Sequence, residues 1–463
     1  MQSQIESKSL NSTNKNIIQE NSQLNNISQN KESTYLKQKR SKLEIVVYTT
    51  LLIIFTILVV LLKIINFPGI NLIYFYSIFI TTFMLSRVLG SFFYRDYRNK
   101  LDKKKLEKLS TYYPTVSFVV PCKNEEKAIY NTITSCLNSD YPADKIEVIA
   151  INDGSTDNTL NEMNRAKKDS PGRRLKIIDF KKNQGKRIGM YVGFKKSFGE
   201  IVIQVDSDSY PEKDALKELI NPFIDKRVGA TVGHTDPSNK DENLMTRMQA
   251  AYYFTSFRTL KATESVFDMV FCCSGCFSAY RKSYIMPILD KWIDEKFMGK
   301  TIIFGDDRAL TNWILRGGHK TIYVANAKAY TVVPNKLKTF LKQQVRWKKG
   351  WLINSIKITP FLVKKDKFVA FTYFIPLIVL TLLTPIIAFK ALILNPLFFG
   401  TSPFYYVVGI ILVSTMLFMH YNIYTIEKYG KYMILWSILN MTVLSYIMLY
   451  ALYDLRNMAW GTR

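Results

Sequence analysis

From Ile45 to Ile65 the chain is an almost unbroken run of aliphatic residues and threonines, with Lys63 as its one charge. The run is long enough to cross a bilayer core of roughly 30 Å. In hydrocarbon a backbone satisfies its own hydrogen bonds only as a helix or a closed barrel. Phe67-Pro68-Gly69 breaks the run, and a second span follows from about Ile70 to Tyr94. Two spans joined by a tight turn predict a transmembrane hairpin over residues 43–94, with both flanks on one side of the membrane. Between Arg95 and Lys108 stand seven basic residues against three acidic ones, and Lys or Arg beside a span marks the cytoplasmic face. Two more spans are expected within 367–431, at Phe368 to about Phe389 and Phe404 to about Tyr424. The segment joining them after Lys390 is uncharged, whereas Glu427, Lys428 and Lys431 follow the second span, which puts the 425–431 loop inside as well. A last apolar stretch, Tyr432 to about Tyr453, is interrupted by Asn440 and Ser445. The plan is that of a multi-pass protein of the cell (plasma) membrane.

Residues 1–42 are mostly Asn, Ser, Gln and Lys. Such a segment buries too little surface to order itself and is expected to be a disordered cytosolic tail. It is no secretory signal, because the apolar run begins too late and is too long. The formal charge of +26 fits nucleic acid, acidic lipid or anionic substrate equally well. Its concentration beside spans assigns it to orientation and to the lipid bilayer, and no nucleic acid partner is expected. Five cysteines include a single C-x-x-C, Cys273 to Cys276, without the further ligands a structural zinc needs. They read as reduced thiols.

Between the spans the pattern changes. Val116–Val120, Ile146–Ile151, Leu175–Ile178 and Ile201–Val205 are short β-rich runs, separated by helical stretches such as 125–137 and 186–197. Alternating strands and helices predict an α/β domain with a mostly parallel sheet over residues 95–335. Ligands of such sheets bind beyond the carboxyl ends of the strands. Residues 336–366 follow as an amphipathic helix with Leu337, Phe340, Leu341, Gln344, Trp351, Leu352 and Ile356 near one stripe, expected at the membrane interface.

Four groups of residues could carry chemistry. Asp153, in Asn152-Asp-Gly-Ser155, can accept hydrogen bonds from a nucleotide base or ribose, or serve in a turn and helix cap. Asp206 and Asp208 form a D-x-D after an apolar strand and can hold Mg²⁺ or Mn²⁺, which favour oxygen ligands and leave positions for phosphates. Asp307, in Gly305-Asp-Asp-Arg308, is a general base for an acceptor hydroxyl or a helix cap. In Gln343-Gln-Val-Arg-Trp347, Trp347 offers a stacking face and Arg346 a phosphate fork, though both types are ordinary in interfacial helices.

In this order and spacing the motifs resemble the processive family-2 membrane glycosyltransferases, the chitin and cellulose synthase superfamily, over roughly residues 45–463. Gly305-Asp-Asp-Arg-Ala-Leu-Thr-Asn312, Gln343 to Trp347, Ser274-Gly275 before Tyr280-Arg281, and the terminal Trp460-Gly-Thr-Arg463 are most similar to hyaluronan synthases. The resemblance implies a GT-A-type catalytic domain on the cytosolic side. It implies Asp153, Lys186, Asp206, Arg346 and Arg463 as nucleotide-sugar contacts, Asp208 as metal ligand and Asp307 as catalytic base. It further implies Trp347, Ser274, Gly275 and Gln343 as acceptor contacts. Implied partners are UDP-sugar donors and a growing polysaccharide, and the implied reaction is inverting polymerisation with translocation, from UDP-GlcNAc and UDP-GlcA. A chitin-type N-acetylglucosaminyltransferase, a non-processive lipid-linked transferase and a non-catalytic nucleotide-sugar sensor are the alternatives. The chain departs from the family at Cys276, where a proline usually follows Ser-Gly. For Trp460–Arg463 to reach cytosolic aspartates, residues 432–463 are expected to be re-entrant or interfacial, folding back near Asn440.

Overall fold

The computed structural model describes residues 41–65 and 72–457. An eight-stranded sheet has the order β3-β2-β1-β4-β7-β6-β10-β5. Its strands are β1 (Val116–Cys122), β2 (Ile146–Asp153), β3 (Arg174–Phe180), β4 (Ile201–Gln204), β5 (Ser209–Pro211), β6 (Val228–Pro237), β7 (Ser278–Arg281) and β10 (Lys320–Thr331), with β8 (Lys296–Phe297) and β9 (Lys300–Thr301) forming a separate hairpin. Four of the seven pairings are parallel. Antiparallel β7 between β4 and β6 had no sequence signal, since a four-residue run with only Ala279 and Tyr280 apolar carries no period to read.

The largely apolar strand runs follow from burial on both faces. Phe118, Val120, Val148 and Ala150 pack against Ile129, Ile133 and Leu137 of helix Ile129–Leu137. Val119, Ile149 and Ile151 face the other way, onto Met190 and Phe194 of helix Lys186–Lys196.

Among the described residues, helices Leu72–Phe92, Lys367–Phe399, Tyr406–Tyr424 and Lys428–Tyr453 are long and apolar enough to cross a membrane. A further helix, Lys42–Ile65, precedes them. The expected break at 67–69 lies outside the described residues. Polar bonds tie spans to the α/β domain. Thr263 Oγ1 donates to the carbonyl of Arg87 at 2.7 Å, and Tyr373 Oη donates to buried Glu264 at 2.5 Å. The segment after Tyr432 does not turn back at Asn440. It stays helical through a π turn, Asn440–Leu444, a form that recurs at functional positions. Lysines pair with acids at both its ends, Lys240 with Glu427 and Lys349 with Asp454.

The amphipathic helix runs Leu337–Lys365. Phe340, Gln344 and Leu352 of its expected stripe are buried, while Leu337 and Ile356 are exposed.

Candidate active site

β4 is apolar and wholly buried up to Gln204, so the chain leaves the sheet just before the D-x-D. β5 returns antiparallel onto β10 and pins the turn between them, with Ser209 opposite Thr331. Thr331 Oγ1 donates to Asp208 Oδ1 at 3.4 Å, and the Val332 amide donates to the Asp208 carbonyl at 3.3 Å. Asp208 is 5% exposed and lines a cavity of about 510 Å³.

Asp206 is paired with the Lys186 ammonium. Burial works against that charge, but Asp206 beside it, with Asp306 and Asp307, outweighs burial and raises the Lys186 pKa. Lys186 opens its helix directly after Gly185, which sits at φ +95°. The preceding turn is held by Asp153, whose two carboxylate oxygens accept from the amides of Gln184 (2.6 Å) and Gly185 (2.9 Å). Asp153 is 4% exposed and does not line the cavity. It shapes the strand-end turn that presents Lys186.

Asp307 stands in the first turn of helix Asp306–Arg316, where the dipole favours a carboxylate. Its Oδ2 accepts from the Gly275 amide at 3.3 Å and from the Cys272 thiol at 3.7 Å. Asp306 Oδ1 stands 3.9 Å from Arg187 Nε. Burial pushes its carboxyl up to about 6, against the pull of Arg187 and Lys186. An acid raised in the folded state contributes stability below its unfolded pKa and loses it as pH rises through the folded value. Asp306→Asn is therefore expected to gain thermal stability over the parent as pH rises from 4 to 7, and equal melting-temperature profiles would refute that assignment.

The 272–276 segment lies between the two acid groups. A Cβ on Gly275 would stand 2.5 Å from Gln204 Nε2 and 2.9 Å from Asp206 Oδ1, so any side chain there must displace those two groups. Cys276 Sγ is 3.8 Å from Asp206 Oδ2. Burial raises the Cys272 thiol to about 11 and also raises Cys276. Both are neutral thiols at physiological pH and not nucleophilic thiolates.

The long helix Leu337–Lys365 supplies the remaining wall with Gln343, Arg346, Trp347, Lys348 and Trp351. It meets the Asp307 helix at two glycines: a Cβ on Gly350 would lie 3.2 Å from the Gly305 Cα. The cavity thus gathers Lys186, Asp206, Asp208, Ser274, Gly275, Asp307, Gln343, Arg346 and Trp347, and continues between membrane segments to Leu377, Thr381, Trp436 and Asn440. Arg463 lies outside the described residues. Tyr252 and Trp436, stacked at 4.6 Å on the cavity wall, carried no local signal because 184 residues separate them. Asn440 did carry one, as a polar break in an apolar run.

Buried polar atoms nearly always find partners. On the wall of this cavity Ser274 Oγ and Gln343 Oε1 have none among the described residues, and neither have Gln204 Oε1 and Nε2 behind Gly275. They mark a place for a ligand rich in hydroxyls and amides.

A divalent cation fits the D-x-D side in a particular way. Among the described residues no group of three or more His, Cys, Asp and Glu is placed to hold a metal. Asp208 offers hard oxygen, so the cation would be one that keeps water and takes phosphate oxygens, as Mg²⁺ and Mn²⁺ do.

Residues 117–289 match glycosyl transferase family 2. The hyaluronan synthase of Streptococcus pyogenes is 28% identical over 402 residues, which cover 84% of this chain and 90% of that one. An N-acetylglucosaminyltransferase of Neorhizobium galegae is 32% identical over 256 residues, 55% of this chain and 59% of its own. A mannosyltransferase from Pyrobaculum calidifontis, solved in complex with GDP-Man and Mn²⁺, superposes with a TM-score of 0.53 at 17% identity. It covers 84% of this chain and all of its own, and shares the GT-A fold.

Proposed function

We propose, from the premise that this chain is a membrane-embedded family-2 glycosyltransferase, that it polymerises UDP-sugars into a polysaccharide and passes the product through its own membrane segments. The observation that carries this reading is the single cavity joining Asp206, Asp208 and Asp307 to Thr381, Trp436 and Asn440 of the apolar helices. A transferase acting once on a small acceptor has no need of a site that opens among membrane segments. The domain over 95–335 faces the cytosol of a plasma membrane, on the side marked by Arg95–Lys108. There it meets nucleotide-sugar donors.

In the proposed reaction the acceptor hydroxyl gives its proton to Asp307 as its oxygen attacks the anomeric carbon. The bond to the nucleoside diphosphate breaks on the opposite face, which inverts the anomeric configuration. Lys186 and Arg346 hold the diphosphate, and Gly275 lets the sugar approach Asp206 closely. Trp347 stacks the acceptor, with Gln343 and Ser274 on its hydroxyls. Mg²⁺ or Mn²⁺, held by Asp208, would neutralise charge on the leaving diphosphate.

Similarity to a hyaluronan synthase over most of the chain favours two alternating donors, UDP-GlcNAc and UDP-GlcA. Similarity to N-acetylglucosaminyltransferases over about half of the chain favours UDP-GlcNAc alone. Membranes bearing the protein, supplied with each donor singly and both together, separate these by product size. High-molecular-mass polymer only with both donors is the expected result. Polymer from UDP-GlcNAc alone establishes the chitin-type reading, and short lipid-linked products alone rule out processive synthesis.

A further inference from the structure

Lys348 lines the cavity one residue after Trp347 and three before Trp351. Among the described residues, it is the one cavity cation without an ion pair, hydrogen bond or ring contact. Lys186 has Asp206, Arg308 the Phe271 carbonyl, and Lys261 the ring of Phe257. Arg346 acts on Asp306.

A desolvated ammonium without a counter-charge destabilises the protein that carries it. Burial alone lowers the Lys348 pKa to about 8, with no carboxylate pulling it back. The donor-side acids Asp206, Asp208 and Asp307 therefore leave it uncompensated. Side chains three and four apart share a face, which sets Lys348 between Gln344 and Trp351. Trp351 packs against a cluster that includes Met448 and Ala451 of the last apolar helix, as does Leu382 of another membrane segment. Lys348 thus stands on the stretch of wall running from Trp347 toward the membrane, where the acceptor chain would lie.

We propose that Lys348 is the cationic end of a subsite, between Trp347 and Trp351, for a carboxylate-bearing sugar unit of the growing chain. The proposal rests on the polymerase reading and adds to it the chemical class of one acceptor unit. A uronate carboxylate would supply the missing counter-charge, while the tryptophans stack on the apolar faces of the neighbouring rings.

The test uses the full-length protein in lipid nanodiscs and two probes: a tetrasaccharide with alternating uronic acids and its carboxyl-reduced neutral analogue. The parent is expected to bind the acid about tenfold more tightly, the discrimination of one buried charge pair. Lys348→Met and Lys348→Gln should bind both alike, and Lys348→Arg should keep most of the preference. A preference that survives in the Met and Gln variants, or is missing from the parent, overturns the proposal. So does a loss of UDP affinity in those variants with the preference intact, which would give Lys348 to the donor diphosphate. The polymer assay reports separately: a neutral polymer from a parent that still discriminates through Lys348 would defeat the two-donor reading and leave the subsite standing.

Discussion

Asp307→Asn is expected to lower the rate of sugar transfer by about 10²- to 10⁴-fold, the usual contribution of a positioned general base. Donor affinity should change little. Asparagine keeps the shape and can still accept from the Gly275 amide, now at 3.3 Å from Asp307 Oδ2, so the 272–276 segment stays in place. What is lost is the capacity to take a proton. Neighbouring Asp306 is not expected to substitute, because its carboxylate is buried beside the Arg187 guanidinium, 3.9 Å away. Turnover with each donor and equilibrium binding of UDP distinguish the outcomes. A variant that loses both together has lost its fold, and one that keeps full turnover removes Asp307 from the chemistry.

Asp208→Asn should be comparably severe for a different reason. A metal at a leaving diphosphate contributes several kcal/mol, or about two to three powers of ten in rate. The distinguishing signature is metal dependence. Chelation should silence the parent, and added Mn²⁺ or Mg²⁺ should restore it. Asp208→Asn should need far more metal for the activity it retains. Asp206→Asn should behave otherwise, since it unpairs the half-buried Lys186 and so raises the donor KM more than the metal requirement. If the two variants respond identically to metal, the separate roles given to the two carboxylates are wrong.

Much of this was legible in the sequence, for reasons visible at particular residues. β1, β2 and β4 announced themselves because both their faces are buried, which leaves few polar residues to interrupt them. The D-x-D stood out as the first charge after such a run. Distance in sequence hid more than chemistry did. Lys186 and Asp206 pair across 20 residues, and Cys272 reaches Asp307 across 35. Nothing local announces either contact, and Lys186 entered only through family resemblance. Asp153 was read as a nucleotide contact or a turn residue, and its carboxylate is taken by the turn at Gln184–Gly185. Asn440 was misread in the other direction. A polar residue in an apolar run suggested that the backbone breaks, whereas the helix continues through a π turn and its side chain joins the cavity wall.

The contact between Gly305 and Gly350 bears on a property of the product. One glycine precedes the helix that carries Asp307, and the other lies on the helix that carries Trp347. With no side chain on either, the two helices touch backbone to backbone. In the proposed acceptor geometry, the hydroxyl that meets Asp307 depends on how far the Trp347 face stands from that carboxylate. Linkage position in the polymer is then fixed by a spacing between backbones. In the same proposal the donor sugar meets Gly275 and Cys276 beside Asp206, on the other side of the cavity. The identity of the sugar added and the carbon to which it is joined would thus be separately variable traits.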